Sequence, residues 1–432
     1  MGTSAGKISE KAVEALSASL NEPRWVLALR KKSLERSASL PFENSPLYRK
    51  YSSGNALDWN SLRLDAPKRL QLGITDEKII FTDIHSAIRS RPELLHGMIS
   101  KMPENKIGCL NSAAFSTGYF ILTPKNTQVK SPIVLKNEFA GTGSFVAHKN
   151  IVILGENSSL ALMEENYGGG ERLVFSSSTE VHAAGGSDFK YGGINLLGGG
   201  AVSLMQRKIV LGKNANSASA SGFFGGMHTI SATDTVMEGE GSSGEDFGVV
   251  FGTGEQKFDI TSNISNIGKN TSGKVVVKGI YQEKARGLFK GMAYIGKDAK
   301  GANSYLAGHS MLMGRETSSD AIPALQIENN NVKATHSASV AQIDGEQLFY
   351  LKSRGIPEEA AKRMIAEGFL EPLLGQMAIR GMGNKLKTIF ELKWSGEGMG
   401  ALERKIRELE QTEMGIETPE GKAGNKQEII AG

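Results

Sequence analysis

Apolar positions in the first hundred residues recur at helical spacing. Val13 and Leu16 follow Ser9, a residue type that caps helix N-termini by accepting a backbone N–H. Asn21 is a second capping candidate, with Glu22 and Pro23 in the first turn of a helix that sets Trp25 and Leu29 on one face. Further helical pieces are predicted near Asp83 and from Ser90, where Pro92 enters the first turn and Leu94, Leu95, Met98 and Ile99 form the apolar stripe. From about Cys109 to Ile343 the pattern changes. Short runs rich in β-branched residues, among them 119–122, 151–154, 202–205, 274–280 and 288–295, alternate with Gly, Asn, Asp and Ser. Many short strands fit a sandwich, a barrel or a solenoid. Turns of varying length and the lack of a recurring Asn-Gly hairpin signal favour a solenoid of the β-helix type, although no strict period is visible. Beyond Asp344 helical spacing returns. Asp344 is placed to cap 346–353, Gly355 to end that helix, and Pro357 to open another with Ala361, Met364, Ile365, Gly368 and Phe369 as its stripe. A last amphipathic piece around Leu402, Ile406 and Leu409 precedes a polar tail expected to be disordered. The chain thus divides into a mostly helical region 1–108, a β core 109–343 and a C-terminal helical region with a tail, 344–432.

Composition sharpens this picture in three ways. Glycine makes up 52 of 432 residues, about 12% against an average of roughly 7%, and crowds the region of short strands. The net charge is only +4 and acids alternate with bases, as in Leu402-Glu403-Arg404-Lys405-Ile406-Arg407-Glu408, which argues against a dedicated nucleic-acid surface. The single cysteine, Cys109, excludes intrachain disulfides and any all-cysteine metal site built from this chain alone. The N-terminus has no apolar signal-peptide core, and no apolar run approaches the ~20 residues that span a bilayer, so the expectation is a soluble, cytoplasmic protein.

Several familiar patterns dissolve on inspection. Gly291 to Lys297 has P-loop spacing, but Asp298 stands where Ser or Thr would bind magnesium, and its carboxylate would repel phosphates. Gly239-Glu-Gly-Ser-Ser-Gly244 has acidic neighbours that would repel a pyrophosphate. Gly308-His309-Ser310 lacks the closing glycine and following helix of a nucleophile elbow. Glu164 and Glu165 adjoin on a strand, so they face opposite ways and cannot act as a paired acid and base. Cys109, in an apolar setting, reads as a buried structural thiol. His336 holds more interest. Alternation puts it on the face of Val332, Ala334, Ala338 and Val340, with an alanine on either side leaving room around the imidazole. Pattern alone admits a core histidine or a ligand and interface histidine, since neutral imidazole is a common metal donor. His309, 27 residues earlier and about one solenoid turn away, is a second metal candidate.

Three separated stretches resemble the SufB/SufD family of the SUF iron–sulfur cluster assembly system. They are Asn21 to Arg30, then Leu110-Asn111-Ser112-Ala113-Ala114-Phe115-Ser116-Thr117-Gly118 followed by Tyr119 to Lys125, and, in the third, Met311 to Gly314, Ser319 to Ile327, Thr335 to Val340 and Leu348 to Ile356. The resemblance implies a mainly β protein, a right-handed parallel β-helix flanked by N-terminal and C-terminal helical regions. It further implies a non-catalytic scaffold subunit whose C-terminal helices dock on SufC, the ATPase of the system, through residues such as Leu348, Phe349, Tyr350, Arg354, Ile356, Met364 and Phe369. In the family SufB and SufD pair near the C-terminal ends of their β-helices. The histidine matching His336 lies at that junction in SufD, where iron or a transient cluster shared with the partner would be held, opposite a SufB cysteine whose position falls at about Gly308 here. The cysteines on which SufB builds clusters have no counterpart, so the likeness is to SufD, with a SufB-type paralogue or a second copy of this chain as partner. No nucleic-acid or membrane partner is expected. The competing reading is a cytoplasmic β-helix that binds or acts on polysaccharide. Such proteins usually line one solenoid face with aromatic and paired acidic residues, and aromatics here are only 7%.

Overall fold

The computed structural model describes residues 8–43, 48, 63–64, 78–139, 142–398, 400–402, 404–406 and 428–431. Leu409 and most of the polar tail, for which helix and disorder are expected, lie outside the described residues. Among those described, the chain opens with α1 (Glu10–Ser19), α2 (Arg24–Ser39), β1 (Arg63–Leu64), β2 (Ile80–Asp83), α3 (Ile84–Ser90), α4 (Pro92–Ile99) and α5 (Lys106–Ala114). Ser9 caps α1, accepting from Ala12 N, and Asp83 caps α3, accepting from Ser86 N. Asn21 does not cap α2. It takes a left-handed conformation (φ 51°) that turns the chain out of α1, and Pro23 is the cap residue. Likewise Arg91, not Ser90, precedes α4. Cys109 lies within α5, so the run of parallel strands starts at Tyr119 and not near Cys109.

Sixteen strands follow in strict alternation between two parallel sheets. One sheet holds β3 (Tyr119–Thr123), β5 (Ser144–Leu154), β7 (Val174–Ala183), β9 (Val202–Leu211), β11 (His228–Met237), β13 (Lys257–Asn266), β15 (Arg286–Ile295) and β17 (Ser318–Ile327). The other holds β4 (Ile133–Phe139), β6 (Ser159–Gly168), β8 (Asp188–Leu197), β10 (Asn216–Phe223), β12 (Ser243–Gly252), β14 (Ser272–Tyr281), β16 (Asn303–Leu312) and β18 (Lys333–Gln342). Each strand pairs with the strand two places on, so consecutive pairs form the eight rungs of a parallel β-helix. Alternation along each strand sends one set of side chains into the lumen. Leu160 and Leu162 of β6 join the central apolar column there, while Met163 and Tyr167 face outward. The corners are built by turn chemistry. Asn157, Asn214 and Asn270 adopt left-handed φ of 55°, 53° and 55° and alternate up one corner with Gly186, Gly241 and Gly301. Each asparagine Oδ1 would lie 2.3 Å from a Cβ placed on the next glycine, so neighbouring turns nest only when one of them is bare.

The two ends differ. At the first rung β2 pairs antiparallel with β3, β19 (Glu428–Ala431) pairs with β4, and α1–α5 pack against the same end through Phe115, Phe120 and Phe145. At the last rung β17 and β18 have outer edges that pair with no described strand. After β18 come α6 (Gly345–Ser353), α7 (Glu358–Leu374) and α8 (Met382–Trp394). Asp344 caps α6, accepting from Glu346 N and Gln347 N, and Gly355 follows it at φ 84°. The buried face of α7 shares only part of the predicted stripe. Ala366, Leu370, Leu373 and Leu374 pack inward with Ala361, while Met364 and Gly368 are exposed, because the longer leucine row at the C-terminal half buries more apolar area. α7 and α8 lie on the outer face of the second sheet, where Ile379, Met382, Leu386, Ile389 and Phe390 meet Ile194, Phe224, Phe247 and Phe251.

Candidate partner and metal site at the open end of the solenoid

His336 sits on the last strand with its register partner Leu306 below it and Val275 below that. Leu306 and Val275 are fully buried lumen residues, so His336 occupies the next inward position of the same column. It is exposed, and no further described rung covers it. Ala334 and Ala338 flank it at i ± 2, and Val340, 40% exposed, and Ile327, 45% exposed, complete an apolar rim. The outer edges of β17 and β18, which pair with no described strand, and this rim together form an exposed end surface.

His309 lies one rung below, but its register partner is Ser339, three places along from His336. An odd offset puts the two imidazoles on opposite faces of the sheet, so the structure does not bring them together. His309 faces outward, its Nδ1 2.7 Å from Ser339 Oγ. Burial, helped by the charge of Lys278, lowers its pKa. Among the described residues no group of three or more His, Cys, Asp and Glu side chains is gathered as a metal cluster. Gly308 faces the lumen, where an added Cβ would meet Phe289 Cδ1 at 2.1 Å. A cysteine there would require Phe289 to move. Cys109 is fully buried in α5, its Sγ 3.4 Å from Pro103 O, and burial raises its pKa.

The candidate docking residues fall on two helices. None of the residues of α6 is buried; Phe349 is 74% and Tyr350 56% exposed, and the Arg354 guanidinium lies 5.1 Å from the Tyr350 ring centroid. Leu348 and Ile356 are half-buried, and Met364 is exposed on α7. Phe369 turns instead toward β14, with Lys278 Nζ 4.8 Å from its ring centroid. The rejected motifs stay rejected: 291–295 lies inside strand β15, and 239–242 is a turn before β12. Glu164 and Glu165 do face opposite ways, Glu164 to Tyr191 in the lumen and Glu165 to Lys385 of α8.

The SUF system FeS cluster assembly, SufBD core domain family matches residues 137–369, more than half of the chain. The chain belongs to the SufBD family. It is 28% identical over 431 residues to the iron–sulfur cluster assembly protein SufD of Bacillus subtilis (strain 168), covering 89% of this chain and 98% of that protein. It is 26% identical over 420 residues to an iron–sulfur cluster assembly SufBD family protein of Staphylococcus saprophyticus, covering 86% and 90%. The iron–sulfur cluster assembly protein SufB of B. subtilis is 25% identical over 420 residues, with the same coverage. The SufBD core match runs from β4 to α7 and so contains the last rung, both histidines and every candidate docking residue. No helix among the described residues is long and apolar enough to cross a membrane.

Sequence reasoning missed the residues that fix the C-terminal helices of this SufBD protein to its β-helix. The chief one is Lys393 of α8. It is buried, and its Nζ donates to Phe224 O at 2.6 Å, to Gln256 Oε1 at 2.7 Å and to Phe251 O. Burial lowers its pKa to about 7, with Glu283 opposing the shift. Lys385 joins Glu165, and Lys274 Nζ donates to Gln376 Oε1 at 2.7 Å. Apolar residues at 382, 386, 389 and 390 carried the helical signal for α8, in a stretch of glycines that masked it.

Proposed function

We propose that this SufBD protein is a SufD-type scaffold subunit that pairs through its last rung with a SufB-type paralogue and docks a SufC-type ATPase through α6 and the start of α7. The observation that carries the reading is the asymmetry of the solenoid: one end closed by helices and added strands, the other open, with His336 in its mouth. His336 is then the residue through which this chain contributes to a transient iron or cluster site at the junction, the iron or cluster being cargo. α6 suits docking because it exposes two aromatic rings while contributing nothing to the core. α7 and α8, tied to the middle rungs, carry motion of the ATPase to the solenoid.

Two experiments test this. Phe349→Ala with Tyr350→Ala is expected to abolish co-purification of the cognate ATPase without lowering the unfolding temperature, since neither ring is buried. Unchanged co-purification rejects the docking surface. His336→Ala is expected to leave pairing with the SufB-type partner intact while cutting cluster yield in cells; wild-type yield rejects the site. Pairing with a second copy of this chain is the other outcome at the open end, and size analysis with and without the paralogue separates the two.

A further inference from the structure

The lumen is apolar toward both ends and polar in its middle rungs. Glu164 of β6, Tyr191 of β8, Arg207 of β9 and Asp246 of β12 all face inward and are buried. The Arg207 guanidinium lies 3.5 Å from the Tyr191 ring centroid. Glu164 Oε2 accepts the Tyr191 hydroxyl at 2.7 Å, and Asp246 Oδ2 accepts the Ser262 hydroxyl at 2.6 Å. Arg207 itself is poorly served. Nη1 reaches Thr233 and Nη2 reaches Ser221 only at 3.4 Å, and Nε, buried, has no partner. A guanidinium stays charged in a protein, so an unmet N–H is costly.

Beside it lies a cavity of about 20 Å³ lined by Glu164, Ser177, Thr179, Tyr191, Arg207 and Ser231 among others. That volume admits one water, and the lining offers it several polar partners. The charges do not balance as drawn. One cation faces two carboxyl groups, and the other titratable groups turned toward them, Tyr119 of β3 and Tyr191, are neutral phenols held so by burial. Of the two carboxyls, Glu164 lines the cavity and Asp246 does not. A neutral carboxyl can both donate and accept, which suits contact with a hydroxyl-lined cavity.

We infer that Glu164 is carried protonated and that one resident water in this cavity joins its carboxyl to Arg207 Nε, leaving Arg207 as the counter-ion of Asp246. The site is sealed. Between it and the open rung the inward positions are filled by Val275, Val277, Phe289 and Leu306, all buried, so the water does not communicate with His336. Cargo reaching His336 therefore does not travel along this lumen.

The test compares urea unfolding midpoints at neutral pH for Glu164→Gln and Asp246→Asn in the full-length protein, beside a high-resolution crystal structure of the parent. Glu164→Gln replaces a neutral carboxyl by a neutral amide and is expected to leave the midpoint in place, whereas Asp246→Asn, which removes a counter-ion, shifts it down. Density for a single water within hydrogen-bond reach of Arg207 Nε is expected. A Glu164→Gln midpoint lowered as far as that of Asp246→Asn, failure of that variant to fold, or an empty cavity in the crystal overturns the inference.

Discussion

Replacing Arg30 by methionine is expected to lower the stability of the SufBD protein by about 3–5 kcal/mol, the range seen when one member of a buried ion pair is removed. Arg30 is fully buried in α2, and its guanidinium grips Glu22 with two bonds, Nε to Oε2 at 2.7 Å and Nη2 to Oε1 at 2.6 Å. Its remaining donors close the C-terminus of α5, Nη1 to Ala113 O at 3.1 Å and Nη2 to Phe115 O at 2.7 Å. The same cation lies 3.9 Å from the centre of the Phe115 ring, on which His85 also stacks. Methionine keeps much of the volume but strands the Glu22 carboxylate, with His85 Nδ1 at 3.1 Å as its remaining close polar neighbour. Equilibrium urea unfolding measures the loss, and adding Glu22→Gln should recover part of it.

The acid side of the stability profile reports on the same group. Burial alone would raise the Glu22 pKa; the contacts from His85 and Arg30 outweigh it and hold it at about 2, against an ordinary 4.5. The folded state therefore binds this proton less readily than the unfolded chain. The stabilisation, roughly 3 kcal/mol by linkage, is complete above about pH 4.5 and is lost as pH falls through about 2. A Glu22→Gln variant should lack that part of the acid-unfolding slope.

The second large effect is expected at Gly118, where alanine should prevent accumulation of folded protein or cost more than about 4 kcal/mol. Gly118 has φ of 142°, a region in which L side chains are strained. A Cβ there would lie 1.9 Å from Lys149 O and 2.8 Å from Lys149 N, both backbone atoms of β5 and so unable to swing aside. The position also carries the entry to the β-helix, since Gly118 O accepts Ile84 N of α3 at 3.0 Å while Thr117 and Lys149 bond to each other. Soluble yield and thermal unfolding of Gly118→Ala, beside Gly97→Ala as a control where nothing lies within 4 Å, decide it.

Both residues fall in stretches that carry the family likeness, yet the sequence reading gave neither its physical role. Glu22 looks like a first-turn acid, because its partner Arg30 is eight residues on and the group that shares it, His85, is far along the chain. The solenoid itself was legible from short strands and polar turns. Its period was not, because register partners in adjacent rungs are from 26 residues apart (Val202 to His228) to 32 (Arg286 to Ser318). The α7 stripe was misplaced at Met364 and Gly368 and left out Leu370, Leu373 and Leu374, a choice that only the packing against the sheet resolves. At the candidate site, alternation placed His336 among Ala334, Ala338 and Val340; that this face opens at a chain-end rung is a three-dimensional fact no pairwise spacing contains. His309 shows the converse, one turn away as expected but on the other face.

The unequal ends of the solenoid bear on how such molecules can assemble. A stack of β-helices grows without limit only if each subunit offers a head that fits the next one's tail. Here the head is stopped by an antiparallel strand and by helices that no incoming rung can continue. If the proposed pairing uses the tail, it runs face to face between two open mouths and ends at two members. Under the proposed pairing, the geometry that exposes His336 sets it opposite the mouth of another solenoid and not at the start of a fibre.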